Sequence, residues 1–247
     1  MKQFLLPVHS DQEVRLTGED FHYLHHVRRL TVDDSFPGID AEGNRYHVIV
    51  RAVHREAMDV HILPAGSPDM DLPNIHLLQC IPKGGKFDQV VRMATEAGVK
   101  SITPVLSEHT VVRLDSKDKQ KKHERWQRVM QEAVQQSGSR WVPEIYAPQT
   151  LSEVINNAHI DGRILFFHQT PLAPASLHEY CSGASSAFGV CVGPEGGFSN
   201  AEVQMMLNAE WWPGYLGPWV LRTEHAGLYA IAALQTILLE KAKWKIM

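Results

Sequence analysis

The sequence predicts an α/β protein: a small strand-rich domain over residues 1–70, then a mostly parallel sheet covered by helices over 73–247. Three observations carry this. From Pro73 onward, short apolar runs alternate with helix-length segments, the rhythm of a parallel sheet covered on both faces. Phe188 to Val192 is a short, β-branched-rich run that breaks at Gly193-Pro194-Glu195-Gly196-Gly197. Before residue 65 the runs instead alternate apolar with polar residues, the period of half-buried strands.

Within the first domain, Val14 to Leu16 reads as strand. Thr17 with Asp20 resembles a cap for a helix from Glu19 to Leu30 that puts Phe21, Leu24 and Val27 on one face. Tyr46/Val48/Val50 and Met58/Val60/Ile62 follow as alternating strands, with Glu42-Gly43-Asn44 as a turn. Short strands with one helix suggest a small barrel. Pro64-Ala65-Gly66-Ser67-Pro68 has the composition of a linker.

The second domain opens with a strand from Ile75 to Ile81, a helix from Phe87 to Ala97 ended by Gly98, and a strand from Ile102 to Leu106. Lys117 to Gln136 is a long helix, Leu151 to Asn157 a short one, Ile164 to Phe167 a strand, and Leu177 to Tyr180 a helical turn. After the buried strand Phe188 to Val192, Ser199 and Glu202 form an S-x-x-E capping box for a helix through Leu207. A second Gly-Pro turn, at Leu216-Gly217-Pro218, precedes the last helix, from Glu224 to about Lys241, with Thr223 as its cap. Ala226, Leu228, Ile231, Ala233, Leu234, Ile237 and Leu238 spread around its girth, so it is buried in a core or against a partner subunit.

Composition narrows the class. Hydrophobic residues at 44% and charged residues at 21% describe an ordinary globular protein. No apolar run reaches membrane-span length, and the N-terminus turns polar too soon for a signal peptide. Three cysteines without C-x-x-C suit a reducing cytoplasm and argue against disulfides or zinc. The net charge of −4 requires any nucleic-acid partner to meet a local basic patch.

Candidate chemistry sits in the loops. A strand ending in a Gly-rich turn at a helix N-terminus is where open α/β sheets bind ligands, although a plain strand-to-helix turn has the same signature. Lys83-Gly84-Gly85-Lys86 lacks phosphate-loop spacing. With Arg92 it reads either as a phosphate contact or as a solvated charged turn. His22 and His26 have i, i+4 spacing, but no Glu completes H-E-x-x-H and no metal is expected. Arg28 and Arg29 form a basic patch on the same helix. The Lys117–Arg128 run is a solvated helix face by default. Glu195, Arg222 and Glu224 are the ionisable residues embedded in Gly-rich, helix-starting loops, where charges can be preorganised for a ligand.

Together, GPEGG and the stretch Leu216 to Glu224 resemble the paired signature loops of the RsmE family. The likeness extends through His25-His26, Arg28-Arg29-Leu30, Leu78-Gln79, Pro82-Lys83-Gly84, Ala94 to Val99, Ile102-Thr103-Pro104 and Gln136-Ser137-Gly138. It implies a C-terminal SPOUT domain with a trefoil knot and an N-terminal PUA-like barrel. Periodicity alone would not propose a knot, because threaded chains are nearly absent among folds. The implied activity is methylation of a uridine N3 in 16S ribosomal RNA, on the RNA or the assembled small subunit, by a cytoplasmic homodimer that needs no metal.

The implied cofactor is S-adenosyl-L-methionine, held by Phe167, His168, Gly193, Glu195, Gly196, Gly197, Leu216, Gly217, Leu221, Arg222 and Thr223. Glu224 is the expected polar group near the base and Arg222 the expected charge stabiliser. Arg28, Arg29, Lys83, Lys86 and Arg113 are expected to contact RNA from a groove shared by the two domains. The chain also departs from the family at Gln135, Ser139, Trp219, Met93 and Gln169, each removing a charge that could face RNA or the target base. An RNA-binding paralogue of the same fold that lost turnover is therefore the alternative.

Overall fold

The computed structural model describes residues 3–6, 12–66, 74–157, 160–183, 185 and 187–241. The chain divides into two compact units, Met1–Met70 with Val134–Val142, and Asp71–Ala133 with Pro143–Met247. Residues 134–142, which the sequence leaves in the second domain, thus belong with the first. Of the expected linker, Ala65 donates its N–H to Arg45 O at 2.8 Å. Ser67, Pro68 and Pro73 lie outside the described residues.

The first unit is a five-stranded sheet ordered β1-β3-β4-β5-β2. Its strands are β1 (Phe4–Leu5), β2 (Gln12–Thr17), β3 (Ser35–Ile39), β4 (Arg45–Val53) and β5 (Ala57–Pro64). Among the described residues no ladder joins β2 back to β1. The alternation read from the sequence puts Val48, Val50, Met58, Val60 and Ile62 in the core, with Phe4, Leu24 and Phe36. β1 and β3 are too short or too interrupted, by Pro37 and Gly38, to show a period.

The helix departs from expectation. α1 (Gly18–Phe21) passes directly into a π-helical segment, His22–Val27, closed by Arg28 N–H donating to Tyr23 O at 2.9 Å. Thr17 stands at its N-cap without a side-chain cap bond. The wider i→i+5 winding rotates successive residues differently from an α-helix. Phe21 and Leu24 remain buried, but Val27 turns outward at 60% exposure.

The second unit is a seven-stranded sheet in which every ladder is parallel, ordered β12-β10-β11-β6-β7-β8, with β9 also on β7. The strands are β6 (Asn74–Cys80), β7 (Ser101–Leu106), β8 (Glu144–Ile145), β9 (Gln149–Thr150), β10 (Arg163–Phe167), β11 (Ala187–Val192) and β12 (Trp212–Gly214). The helices are α2 (Phe87–Glu96), α3 (Ser116–Ser137, of which residues 134–137 belong to the first unit), α4 (Leu151–Asn157), α5 (Leu177–Tyr180), α6 (Asn200–Asn208) and α7 (Thr223–Lys241). The three short strands β8, β9 and β12 give no readable sequence signal.

One face of the sheet packs Leu78, Cys80 and Cys191 against Val154, Phe198, Met206 and Trp211. On the other, α7 packs on β6, β11 and α2. The approach there is close enough that a Cβ on Gly227 would sit 2.7 Å from Gln79 Oε1. Ile231, Leu234 and Ile237 of α7 are buried within the chain's own fold, so much of the helix's apolar girth is consumed internally. All three cysteines are free and buried. Burial pushes the Cys80 and Cys191 thiols well up, which leaves them inert at neutral pH.

Candidate functional site

Parallel register brings the carboxyl ends of four strands side by side. Phe167 of β10 pairs with Val192 of β11 and with Gly214 of β12, and Val192 pairs with Gln79 of β6. The loops leaving these ends build a cleft, where open α/β sheets hold ligands. The GPEGG turn is fixed by the Ser199–Glu202 capping box, both of whose bonds are present. The second loop is fixed at the start of α7, where Arg222 O accepts from His225 N–H at 2.8 Å and Ala226 N–H at 2.9 Å. Thr223 is therefore the first residue of α7 rather than its cap.

The cleft is lined by Phe167, His168, Gly193, Gly196, Gly197, Leu216, Gly217, Leu221 and Thr223, all among the residues the family resemblance assigns to the cofactor. Val192, Pro194, Phe198, Val220 and Ala226 complete its walls, with Gln169 and Trp219. These apolar additions are indistinguishable from core residues in a sequence. His168 Nδ1 accepts from Thr170 N–H at 3.1 Å, so a neutral ring carries its proton on Nε2. Gly217 sits at φ 108°, a backbone conformation that side chains with a Cβ rarely adopt.

Glu195 and Arg222 do not line the cleft. Glu195 Oε1 accepts from the backbone N–H of Lys83 at 3.1 Å, clamping the GPEGG turn to the turn after β6. Arg222 is exposed beside the cleft. Glu224 is 4% exposed, and its Oε1 accepts from Lys86 Nζ at 2.8 Å, while Oε2 is buried without a partner. The bond from Lys86 holds the Glu224 carboxyl below the usual glutamate range, which makes it a weak base. Lys86 is correspondingly engaged rather than a free cation for RNA.

Two contacts escape the sequence altogether. His109 Nδ1–H donates to Gly197 O at 3.1 Å, and Glu202 Oε1 accepts from Glu108 N–H at 2.8 Å. Both hold the GPEGG turn from the loop after β7, and nothing in the spacing of residues 108 and 109 marks them.

Of the expected RNA contacts, Lys83 and Arg113 are exposed in the second unit and Arg29 in the first. Arg28 is half-buried, its guanidinium 5.3 Å from the Phe36 ring centroid. Ser139 belongs to the first unit and is buried, its hydroxyl donating to Trp141 O at 2.8 Å. The His22 and His26 rings lie 5.2 Å apart at a tilt. Among the described residues no three or more His, Cys, Asp or Glu converge as metal ligands.

A family model described as an RNA methyltransferase domain matches residues 70–235. The chain is 31% identical to the ribosomal RNA small subunit methyltransferase E of Aquifex aeolicus, over 88% of this chain and 91% of that one. It is 26% identical to the protein of the same name from Bacillus subtilis, over 89% and 88%. Among solved structures it resembles the ribosomal RNA small subunit methyltransferase E of Neisseria gonorrhoeae bound to S-adenosyl methionine. That likeness has a TM-score of 0.85 and 29% identity, over 96% of this chain and 98% of the other.

Proposed function

This chain belongs to the ribosomal RNA small subunit methyltransferase E (RsmE) family, and from that premise we propose that it methylates N3 of a uridine in 16S ribosomal RNA, using S-adenosyl-L-methionine. The observation that carries this is the cleft at the carboxyl ends of β10, β11 and β12. Its lining fits the cofactor: apolar walls suited to a flat adenine, and the backbone of two Gly-Pro turns along its edge. Among the described residues no Asp, Glu, Lys or Arg lines it, so recognition falls to its apolar side chains, its backbone groups and His168. The cofactor supplies an electrophilic methyl group.

The chain's own residues supply orientation and charge. Thr223, donating to Gly193 O at 2.8 Å, holds the two loops together so that both line one cleft. Uracil N3–H, a weak acid, must give up its proton to solvent water, and the resulting charge spreads to the flanking carbonyl oxygens. Arg222, exposed beside the cleft, is the cation to stabilise that charge. Glu224 is charged at neutral pH but neutralised by Lys86, so it serves geometry rather than proton removal. Arg29, Lys83 and Arg113 are the exposed cations for RNA phosphates.

Family membership also supports a SPOUT-type knot in the parallel unit, a PUA-like role for the first unit, and cytoplasmic action on the RNA or the small subunit. A homodimer is supported by apolar surface left on the second loop and α7: Trp219 is 81%, Val220 74% and Tyr229 54% exposed. Such surface marks an interaction site more often than a free face.

The test is methyl transfer from labelled S-adenosylmethionine to 16S ribosomal RNA, or to small subunits, from a strain lacking the enzyme, followed by mapping of the product. One N3-methyluridine is expected. Methylation at another atom would overturn the assignment. Retained cofactor and RNA binding without transfer would establish the non-catalytic paralogue instead.

A further inference from the structure

The turn Lys83–Lys86 touches both loops of the cleft. Its first residue donates a backbone N–H to Glu195 at 3.1 Å, and its last donates an ammonium proton to Glu224 at 2.8 Å. Lys86 directly precedes α2, which packs on α7, so the turn stands on a fixed base.

Glu224 lies between Thr223 and Ala226, which both line the cleft, yet it is absent from the lining and almost wholly buried. Its Oε1 accepts from Lys86 Nζ, and Oε2 is buried without a hydrogen-bond partner. On the same face of α7, next to Gly227, Gln79 Oε1 is likewise buried without a donor. Gln79 Oε1 can only accept, so it offers Glu224 no substitute for the Lys86 ammonium. A buried carboxylate stripped of its counter-charge is strongly unfavourable.

We infer that Lys86 is a positioning residue of the cofactor cleft: by holding buried Glu224 it fixes the first turn of α7, and with it the wall formed by Thr223 and Ala226. The inference rests on the cofactor reading above. It removes Lys86 from the RNA-contacting set and assigns its charge to assembly of the site. Glu195 on Lys83 ties the opposite loop to the same turn, so one short segment sets the spacing of both walls.

The experiment is calorimetric titration of the full-length chain with S-adenosylmethionine from pH 6 to 8, for wild type, Lys86→Met, Lys86→Arg, Glu224→Gln and the double variant Lys86→Met/Glu224→Gln. Lys86→Met should bind about tenfold more weakly at pH 8, and the double variant should recover part of that loss, since contacting residues are not additive. Without its partner the buried carboxyl moves up toward neutrality, so Lys86→Met should regain affinity as pH falls. The charged groups acting on Glu224 are Lys86 and, more weakly, His225 of the same helix. The double variant retains His225 and should show no such regain, which separates the two.

Lys86→Arg should stay near wild type. Equal affinity and equal pH response for wild type and Lys86→Met would overturn the inference. If Lys86→Met does not fold, Glu224→Gln and Lys86→Arg decide it: the first must weaken binding and the second must not, and the reverse result overturns it. A wild-type chain that binds no S-adenosylmethionine would overturn the cofactor reading itself, and this inference with it.

Discussion

The hydroxyl of Thr223 donates to the carbonyl oxygen of Gly193 at 2.8 Å, joining two loops that lie 30 residues apart in the chain. Both residues are buried, and both stand at the wall of the cleft. Thr223→Val keeps the shape and leaves the Gly193 carbonyl unpaired, a cost of about 1–3 kcal/mol. Thermal melting should fall by several degrees for Val and recover for Thr223→Ser. An unchanged melting temperature in Thr223→Val would show that the loops are held by other contacts.

Gly217, at φ 108°, should tolerate no other residue without moving the loop. A Cβ at Gly217 would meet nothing within 4 Å, so the penalty is backbone strain rather than collision. Gly217→Val should leave the fold intact and weaken S-adenosylmethionine binding at least tenfold by calorimetry. Full affinity in this variant would remove the loop's conformation from the binding site.

Dimerisation separates two kinds of apolar residue on the same region. Tyr229→Asp and Trp219→Asp change exposed positions and should yield monomers in light scattering with little change in melting. Ile231→Asp places a charge at a fully buried position and should cost several kcal/mol of stability whatever the assembly state. A wild-type monomer at micromolar concentration would rule out the dimer.

Acid should expose the Lys86–Glu224 pair. The carboxyl is held below its ordinary range, so its contribution is complete above the unfolded glutamate value and fades as pH falls below it. Glu224→Gln should therefore be less stable than wild type at neutral pH, with the difference shrinking toward pH 3. Melting curves for both chains across that range measure it; a constant difference would mean the pair carries no charge-dependent stability.

RNA binding should follow the exposed cations. Arg29→Ala, Lys83→Ala and Arg113→Ala should each make the salt dependence of ribosomal RNA affinity shallower by about one unit. Arg28→Ala should also lose stability, because its guanidinium lies 5.3 Å from the Phe36 ring centroid. Identical slopes for wild type and the three exposed-site variants would make these residues an ordinary solvated face.

Much of the fold is legible without coordinates because hydrophobic period and local caps are short-range. The β4 and β5 alternation, the Ser199–Glu202 capping box and the buried run of β11 depend on residues a few places apart, and all stand where the sequence predicts. The cleft is legible for a related reason: Gly-rich turns at helix starts are themselves local signals, and two of them in one order resemble a known family. What local pattern cannot carry is pairing across distance. Lys86 with Glu224, Lys83 with Glu195, Thr223 with Gly193 and His109 with Gly197 join residues 30 to 138 positions apart. Only the packing of α7 on β6, β11 and α2 brings Glu224 to Lys86, and burial then decides that these charges hold the site together. The π-helical winding over His22–Val27, with Val27 exposed, is likewise absent from the sequence pattern, since residues 21–27 carry an α-helical period.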